Sequence, residues 1–158
     1  MSLTIRQSIP GDEEWIISNH GKEYFRDYGF GEEFKNDIAM KYSNLRDNAV
    51  DFHLWIAVMD KKSVGSIALS RQDESTGFIN FLLVLNGFRK KGVSKELMKT
   101  VIEHSLRHGY KTLRLETYSC LTNAREFYRQ TGFRVKDCNK GVEKYGQVFD
   151  REFWELNL

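Results

Sequence analysis

Residues 82–94, LLVLNGFRKKGVS, constrain this chain more than any other stretch, because an apolar run of strand type passes through a basic, glycine-bearing turn directly into a helix. The helix is legible from its spacing. Val93, Leu97, Val101 and Ser105 recur at helical intervals, with Met98, Ile102 and Leu106 beside them, and together they make one apolar stripe. Its first turn therefore lies at Gly92 to Lys95. A helix start leaves backbone N–H groups without internal partners and carries partial positive charge, so it stabilises an anion. Arg89, Lys90, Lys91 and Lys95 add formal charge at the same place. Gly92 permits a close backbone approach or an angle that other residues avoid, and Ser94 is small enough not to block it. The order strand, turn, helix makes a phosphate cradle.

The remaining elements follow from pattern. Leu3 to Ile9 alternates as a half-buried strand does, and Pro10-Gly11-Asp12 turns the chain into a helix from about Glu13. Gly29 and Gly31 interrupt the pattern before Phe34, Ile38, Tyr42 and Leu45 recur at helical spacing. Asp51 to Met59, Ser63 to Ser70 and Thr76 to Leu85 read as a meander of three strands. After the helix from Gly92 come a strand from Thr112 to Thr117, a short helix, and two closing strands, Phe133 to Cys138 and Val148 to Leu158. A length of 158 residues, 41% of them hydrophobic, suits one domain over residues 1–158 with a substantial core.

A net charge of +2 is too small for non-specific nucleic-acid binding, and no second basic stripe accompanies the FRKKG turn. No apolar run reaches the roughly 18 residues of a membrane-crossing helix, and the amino terminus lacks the layout of a signal peptide. Neither nucleic acid nor membrane is expected as a partner, and a cytoplasmic protein is. Cys120 and Cys138 lack metal spacing and are expected as reduced, partly buried thiols. His104 and His108 stand four apart, but no third ligand accompanies them, so no metal site is expected and both are read as surface residues.

The turn resembles motif A of the GNAT superfamily of acetyl-CoA-dependent N-acetyltransferases, with Arg89, Lys90, Lys91, Gly92, Val93 and Ser94 in the motif's six positions. Ser94 replaces its final Gly or Ala, and Asn86 stands where Pro is common. Downstream, LRLETYSCLTNAREFYRQTGF, residues 113–133, resembles motif B of the same superfamily. Residues 20–34, HGKEYFRDYGFGEEF, and the closing YGQVFDREFWELNL are similar to the acetyltransferase half of bacterial proteins that fuse a MarR-type regulator to a GNAT domain.

The resemblance implies an α/β (α+β) GNAT fold, a bent mixed sheet of six to seven strands flanked by about four helices. The strand ending near Leu85 and the strand from Thr112 then splay to form a wedge for acetyl-CoA. It implies that Leu83, Val84 and Leu85 pair with the pantetheine arm and that the turn from Arg89 to Lys95 holds the pyrophosphate. A backbone N–H of Val84 or Leu85 becomes the donor to the thioester carbonyl, and Tyr128 the general acid. Leu121 stands where relatives often place an asparagine that contacts coenzyme A, and Asn123 is the nearby alternative. Arg125 and Arg129 either reach the 3′-phosphate or are solvated.

No base is marked as clearly. Asn80 is an amide and takes no proton at neutral pH, which leaves Glu116 or a water path; Glu116 equally reads as the ion-pair partner of Arg114 or Lys111. Tyr24, Tyr28, Phe30 and Phe34 either wall an acceptor cleft, with Glu32 or Glu33 attracting a cationic amine, or pack two helices on the sheet. The expected reaction is direct transfer to a primary amine, of a small molecule in the first instance. A protein or peptide acceptor and a coenzyme A-binding module without turnover are the alternatives. Two copies of such a domain can pair through exposed carboxyl-terminal strands to give a homodimer.

Overall fold

The computed structural model describes residues 2–158. Strand β1 (Leu3–Gln7) leads into α1 (Asp12–Tyr28), where Asp12 accepts the Ile9 N–H at 2.7 Å and pairs with Arg6 at 2.8 Å. Gly29, at φ 71°, ends α1 in the left-handed conformation, and α2 (Glu32–Asn48) follows. The meander is β2 (Val50–Met59), β3 (Lys62–Arg71) and β4 (Thr76–Val84). Then come α3 (Val93–Arg107), β5 (Thr112–Tyr118), α4 (Thr122–Thr131), β6 (Arg134–Lys144) and β7 (Gln147–Asn157). The seven strands form one sheet in the order β1-β2-β3-β4-β5-β7-β6, and among the described residues β4 and β5 make its one parallel pairing.

Alternation along β2 separates two cores. Trp55 and Ala57 face α3 and α4 together with Val93, Leu97 and Val101, while Leu54 and Ile56 face α1 and α2 with Ile16, Phe34 and Ile38. Burial on both faces is why the central strands read as continuous apolar runs. Gly65 lets α3 approach closely: a Cβ there would lie 2.8 Å from the Leu83 carbonyl and 3.2 Å from both Leu97 and Val93. The start of α3 is thereby pressed against the end of β4.

The central opening comes from one irregularity. Asn80 pairs with Ala68 and Leu83 with Ser66, so two residues of β4 oppose Ile67 alone, and Phe81 takes φ 57°. The Ser66 hydroxyl donates to the Phe81 carbonyl at 2.6 Å and holds this bulge. A bulge bends its strand. Pairing of β4 with β5 runs from Thr76/Thr112 to Ile79/Leu115 and stops there, immediately before the bulge, after which the strands diverge.

Three expectations need correction. Leu106 is 57% exposed, because the buried stripe of α3 continues through His104 and Ser105 instead. His104 is correspondingly buried, its ring 4.5 Å from that of His53, 5.1 Å from Trp55 and 4.1 Å from His108. Strand β6 runs well past Cys138, since pairing with β7 continues through a bulge at Lys140 and Gly141, where the Gly141 N–H donates to Asp150 at 3.1 Å. Both cysteines are free and half-buried. No helix among the described residues is long and apolar enough to cross a membrane.

Candidate active site

Where β4 and β5 part, a cleft of about 530 Å³ opens between the end of β4, the first turn of α3, α4 and the last turns of α1. Leu83, Val84, Arg89 and Lys90 line it, as do Gly92, Val93, Ser94 and Lys95. Gly92 caps α3 at φ 82° and no side chain caps that helix, so its first N–H groups are left for another partner. Lys90 is likewise left-handed, at φ 61°. Strand-edge polar groups, uncapped helix N–H groups and two lysine ammoniums form a donor set suited to an extended amide chain ending in phosphates.

Two residues expected in this set stand elsewhere. The Leu85 N–H donates to the Val64 carbonyl at 2.9 Å and is therefore engaged. Because hydrogen-bonded pairs alternate along an antiparallel ladder, Val84 turns its polar groups away from β3, and Arg89 Nε indeed donates to the Val84 carbonyl at 3.1 Å. Lys91 lies outside the cleft, its ammonium 5.9 Å from the centre of the Phe88 ring. Arg89 lines the cleft but is held by Asp27 at 2.8 Å, with Glu23 at 3.8 Å. Glu23, which the sequence did not mark, is 5% exposed and accepts the Asn86 N–H at 2.5 Å.

On α4, Asn123 and Tyr128 line the cleft. Tyr128 is 7% exposed, packed near Phe133 and Trp154, and burial pushes its hydroxyl above the usual tyrosine range. It stays protonated at neutral pH. Gly132 ends α4 in the left-handed conformation, and both Gly132 and Phe133 donate backbone bonds to the Tyr128 carbonyl, at 3.2 and 3.0 Å, which fixes the helix end that presents the ring. Arg125 and Arg129 are engaged by carboxylates: Arg125 grips Glu152 at 2.8 and 3.0 Å, and Arg129 pairs with Glu126 at 2.5 Å.

Tyr24, Leu82 and Tyr128 also line a smaller inner cavity of about 90 Å³, which continues the cleft between β4 and β5 toward α2. Asn80, Glu116 and His20 lie on its wall. Glu116 pairs with Arg151 at 3.1 Å rather than with Arg114 or Lys111, because β7 places Arg151 opposite Tyr118. His20 is 2% exposed, its Nδ1 lies 2.8 Å from the Ile16 carbonyl, and burial pushes its pKa down to about 4. With the proton on Nδ1 the ring is neutral and Nε2 remains an acceptor.

The aromatic segment divides. Tyr24 and Tyr28 line the large cleft, whereas Phe30 is fully buried, 4.9 Å from Tyr145 and 5.5 Å from Phe34. Phe30 is therefore core and no wall of a site. Glu33 is exposed on the first turn of α2 and borders neither cavity, since Phe34 and Ile38 define the inward face of that helix. The structure joins this segment to the closing strands, with Gln147 donating to the Tyr28 carbonyl at 2.5 Å.

Comparison with known proteins agrees with this geometry. Residues 16–133 match the model of the acetyltransferase (GNAT) family. Over 81 residues the chain is 35% identical to the N-acetylaspartate synthetase of Danio rerio; that stretch is 51% of this chain and 29% of the relative, so the match spans less than a third of the relative's length. A GNAT-family acetyltransferase of Staphylococcus aureus Mu50 superposes with a TM-score of 0.79 at 20% identity, covering 99% of each chain. A GNAT acetyltransferase of Elizabethkingia anophelis, solved with acetyl-CoA bound, gives a TM-score of 0.71 at 20% identity over 99% of this chain and 98% of that one. The family model covers most of the chain and the splayed sheet carries the same architecture: this chain belongs to the GNAT family of acetyltransferases.

Proposed function

We propose that this protein transfers the acetyl group of acetyl-CoA directly to the primary amine of a small molecule, both substrates being held at once. The observation that carries this reading is the meeting of the large cleft with a separate inner cavity at Tyr24, Leu82 and Tyr128. Such an arrangement lets two reactants approach the same point from opposite sides. A relative named as an N-acetylaspartate synthetase favours a small acceptor.

Acetyl-CoA supplies the activated thioester. Val84 offers an outward strand edge to its arm, the N–H groups of Val93, Ser94 and Lys95 with the Lys90 and Lys95 ammoniums take its phosphates, and Asn123 borders the same cleft. The Val84 N–H, which the ladder register turns away from β3, serves as the donor to the thioester carbonyl oxygen. Tyr128, kept protonated by burial, donates its proton to the departing thiolate. The amine must arrive neutral. Glu116, held by Arg151, takes the amine proton through water, and Asn80 fixes the amine by hydrogen bonds.

Titration calorimetry with acetyl-CoA, followed on the same sample by a thiol-release assay over polyamines, amino acids, aminoglycosides and short peptides, tests the assignment. Binding with release for a small amine is the expected result. Release with peptides alone moves the acceptor class to proteins, and binding with no release for any amine overturns catalysis in favour of a coenzyme A-binding module.

A further inference from the structure

The inner cavity has a second neighbour. On the side away from the large cleft, a pocket of about 310 Å³ lies between α2, the end of β5 and the β6–β7 hairpin, and it shares Phe34, Ile38, Lys41, Glu116 and Tyr118 with the inner cavity. An acceptor entering here reaches the wall that carries Tyr128 without crossing the cofactor cleft.

The charges in this pocket do not balance. Three cations, Lys41, Lys144 and Arg151, face two carboxylates, Asp37 and Glu116. Arg151 pairs with Glu116 at 3.1 Å and Lys144 with Asp37 at 3.7 Å, and Tyr145 donates its hydroxyl to Asp37 at 2.7 Å. Among the described residues Lys41 forms no ion pair, although it borders both the pocket and the inner cavity. Lys41 is exposed where it borders the pocket. The protein beside the ammonium still withholds enough water that desolvation holds its pKa below the usual lysine range. A cation that borders both cavities without a carboxylate of its own is available to an anion brought by the ligand.

We infer that Lys41 binds a carboxylate of the acceptor, so that the substrate is an amino acid or a similar amine bearing an acid group. This inference rests on the acceptor reading given above. The dimensions agree: the inner cavity holds only a few non-hydrogen atoms, which suits an amine and its adjacent carbons, and the acid group then falls at the shared wall where Lys41 stands. Arg151 and Lys144 are partly neutralised by their own carboxylates and serve as secondary attraction. The acid group also fixes which way round the acceptor sits, since Asp37, which borders the outer pocket and not the inner cavity, repels it from that side.

The test is thiol release with acetyl-CoA over the twenty common amino acids, each paired with its carboxamide and its decarboxylated amine, for the wild type and for Lys41→Met and Lys41→Arg. The expected result is at least one acid with kcat/KM ~10- to 100-fold above both neutral counterparts, the range of a charge-assisted hydrogen bond. Lys41→Met abolishes that preference through KM, Lys41→Arg retains part of it, and acetyl-CoA affinity by calorimetry is unchanged in both variants. An independent readout is thermal stabilisation by the N-acetylated amino acids in the presence of coenzyme A, expected in the wild type and lost in Lys41→Met. Preference for the amides or decarboxylated amines, or an acid preference unmoved by Lys41→Met, overturns the carboxylate site and leaves the acetyltransferase reading standing. Acetyl-CoA binding with no turnover in any series and no stabilisation by the N-acetylated acids overturns the small-acceptor reading together with it.

Discussion

The backbone N–H of Asn86 donates to the buried carboxylate of Glu23 at 2.5 Å, so the turn that follows β4 is fastened to the carboxyl-terminal part of α1. Glu23 also pairs with Arg26 and lies 3.8 Å from Arg89, which itself bonds Asp27 and the Val84 carbonyl. One acidic side chain thus locates the end of β4, the basic turn and the entry to α3 relative to the helix that forms the opposite wall of the cleft. The charge at the turn serves partly to position it.

Glu23→Ala leaves the Asn86 N–H and the neighbouring guanidinium groups without their partner. A loss of about 1–3 kcal/mol in folding stability is expected, together with weaker acetyl-CoA binding, because the turn is no longer held in place. Urea denaturation and titration calorimetry read the two effects. Unchanged affinity in a destabilised variant would confine Glu23 to a structural role.

Gly92→Val separates backbone conformation from packing. A Cβ at Gly92 meets no atom within 4 Å, but φ is 82°, so a β-branched residue costs about 1–2 kcal/mol of backbone strain without a steric clash. Acetyl-CoA affinity is expected to fall by roughly tenfold or more, as relief of that strain moves the first N–H groups of α3. If Gly92→Val bound acetyl-CoA as the wild type does, the cradle would have to be placed elsewhere.

Tyr128→Phe keeps the ring that packs near Phe133 and Trp154 and removes only the hydroxyl. The melting temperature and the acetyl-CoA dissociation constant are expected to change little, while kcat falls by roughly 10²-fold or more, the usual contribution of a positioned acid. Steady-state kinetics with the best acceptor decide the matter, and full turnover in the variant would remove Tyr128 from the mechanism.

His20 predicts acid sensitivity. Its pKa is near the ordinary 6.5 when unfolded and about 4 in the fold, so between those values the unfolded chain binds the extra proton. Stability conferred by the neutral ring is full above pH 6.5 and declines as pH falls toward 4, by about 3 kcal/mol over the whole interval. Replacing His20 by Gln should flatten that part of the stability curve, measured by denaturant titration at a series of pH values. The wild type and the variant losing stability in parallel would count against this assignment.

Much of the fold was legible because it is local. The stripe from Val93 to Val101, the glycine stop after Tyr128 and the β-rich runs of the meander each report on neighbours in sequence, and helices and strands formed nearly where those patterns placed them. The uncapped start of α3 was legible for the same reason: a helix start following a strand carries its N–H groups whatever surrounds it. Leu106 and His104 mark the limit, since spacing identifies a stripe but not where the sheet beneath it ends.

Tertiary structure decided how the charges and the core were shared out. Phe30 and Tyr24 belong to the same aromatic run, yet one is sealed between Tyr145 and Phe34 and the other lines the cleft, because the closing hairpin covers one and not the other. The splay depends on Ser66 holding a bulge at Phe81, and the engagement of Leu85 on Val64. Asn86 meets Glu23 across 63 residues and Tyr145 meets Asp37 across 108. The sequence determines which groups are available and which local elements carry them; desolvation and ion pairing depend on what the folded chain brings within a few ångströms, and that selected Glu23, Lys41 and Arg151 from among the many charged residues.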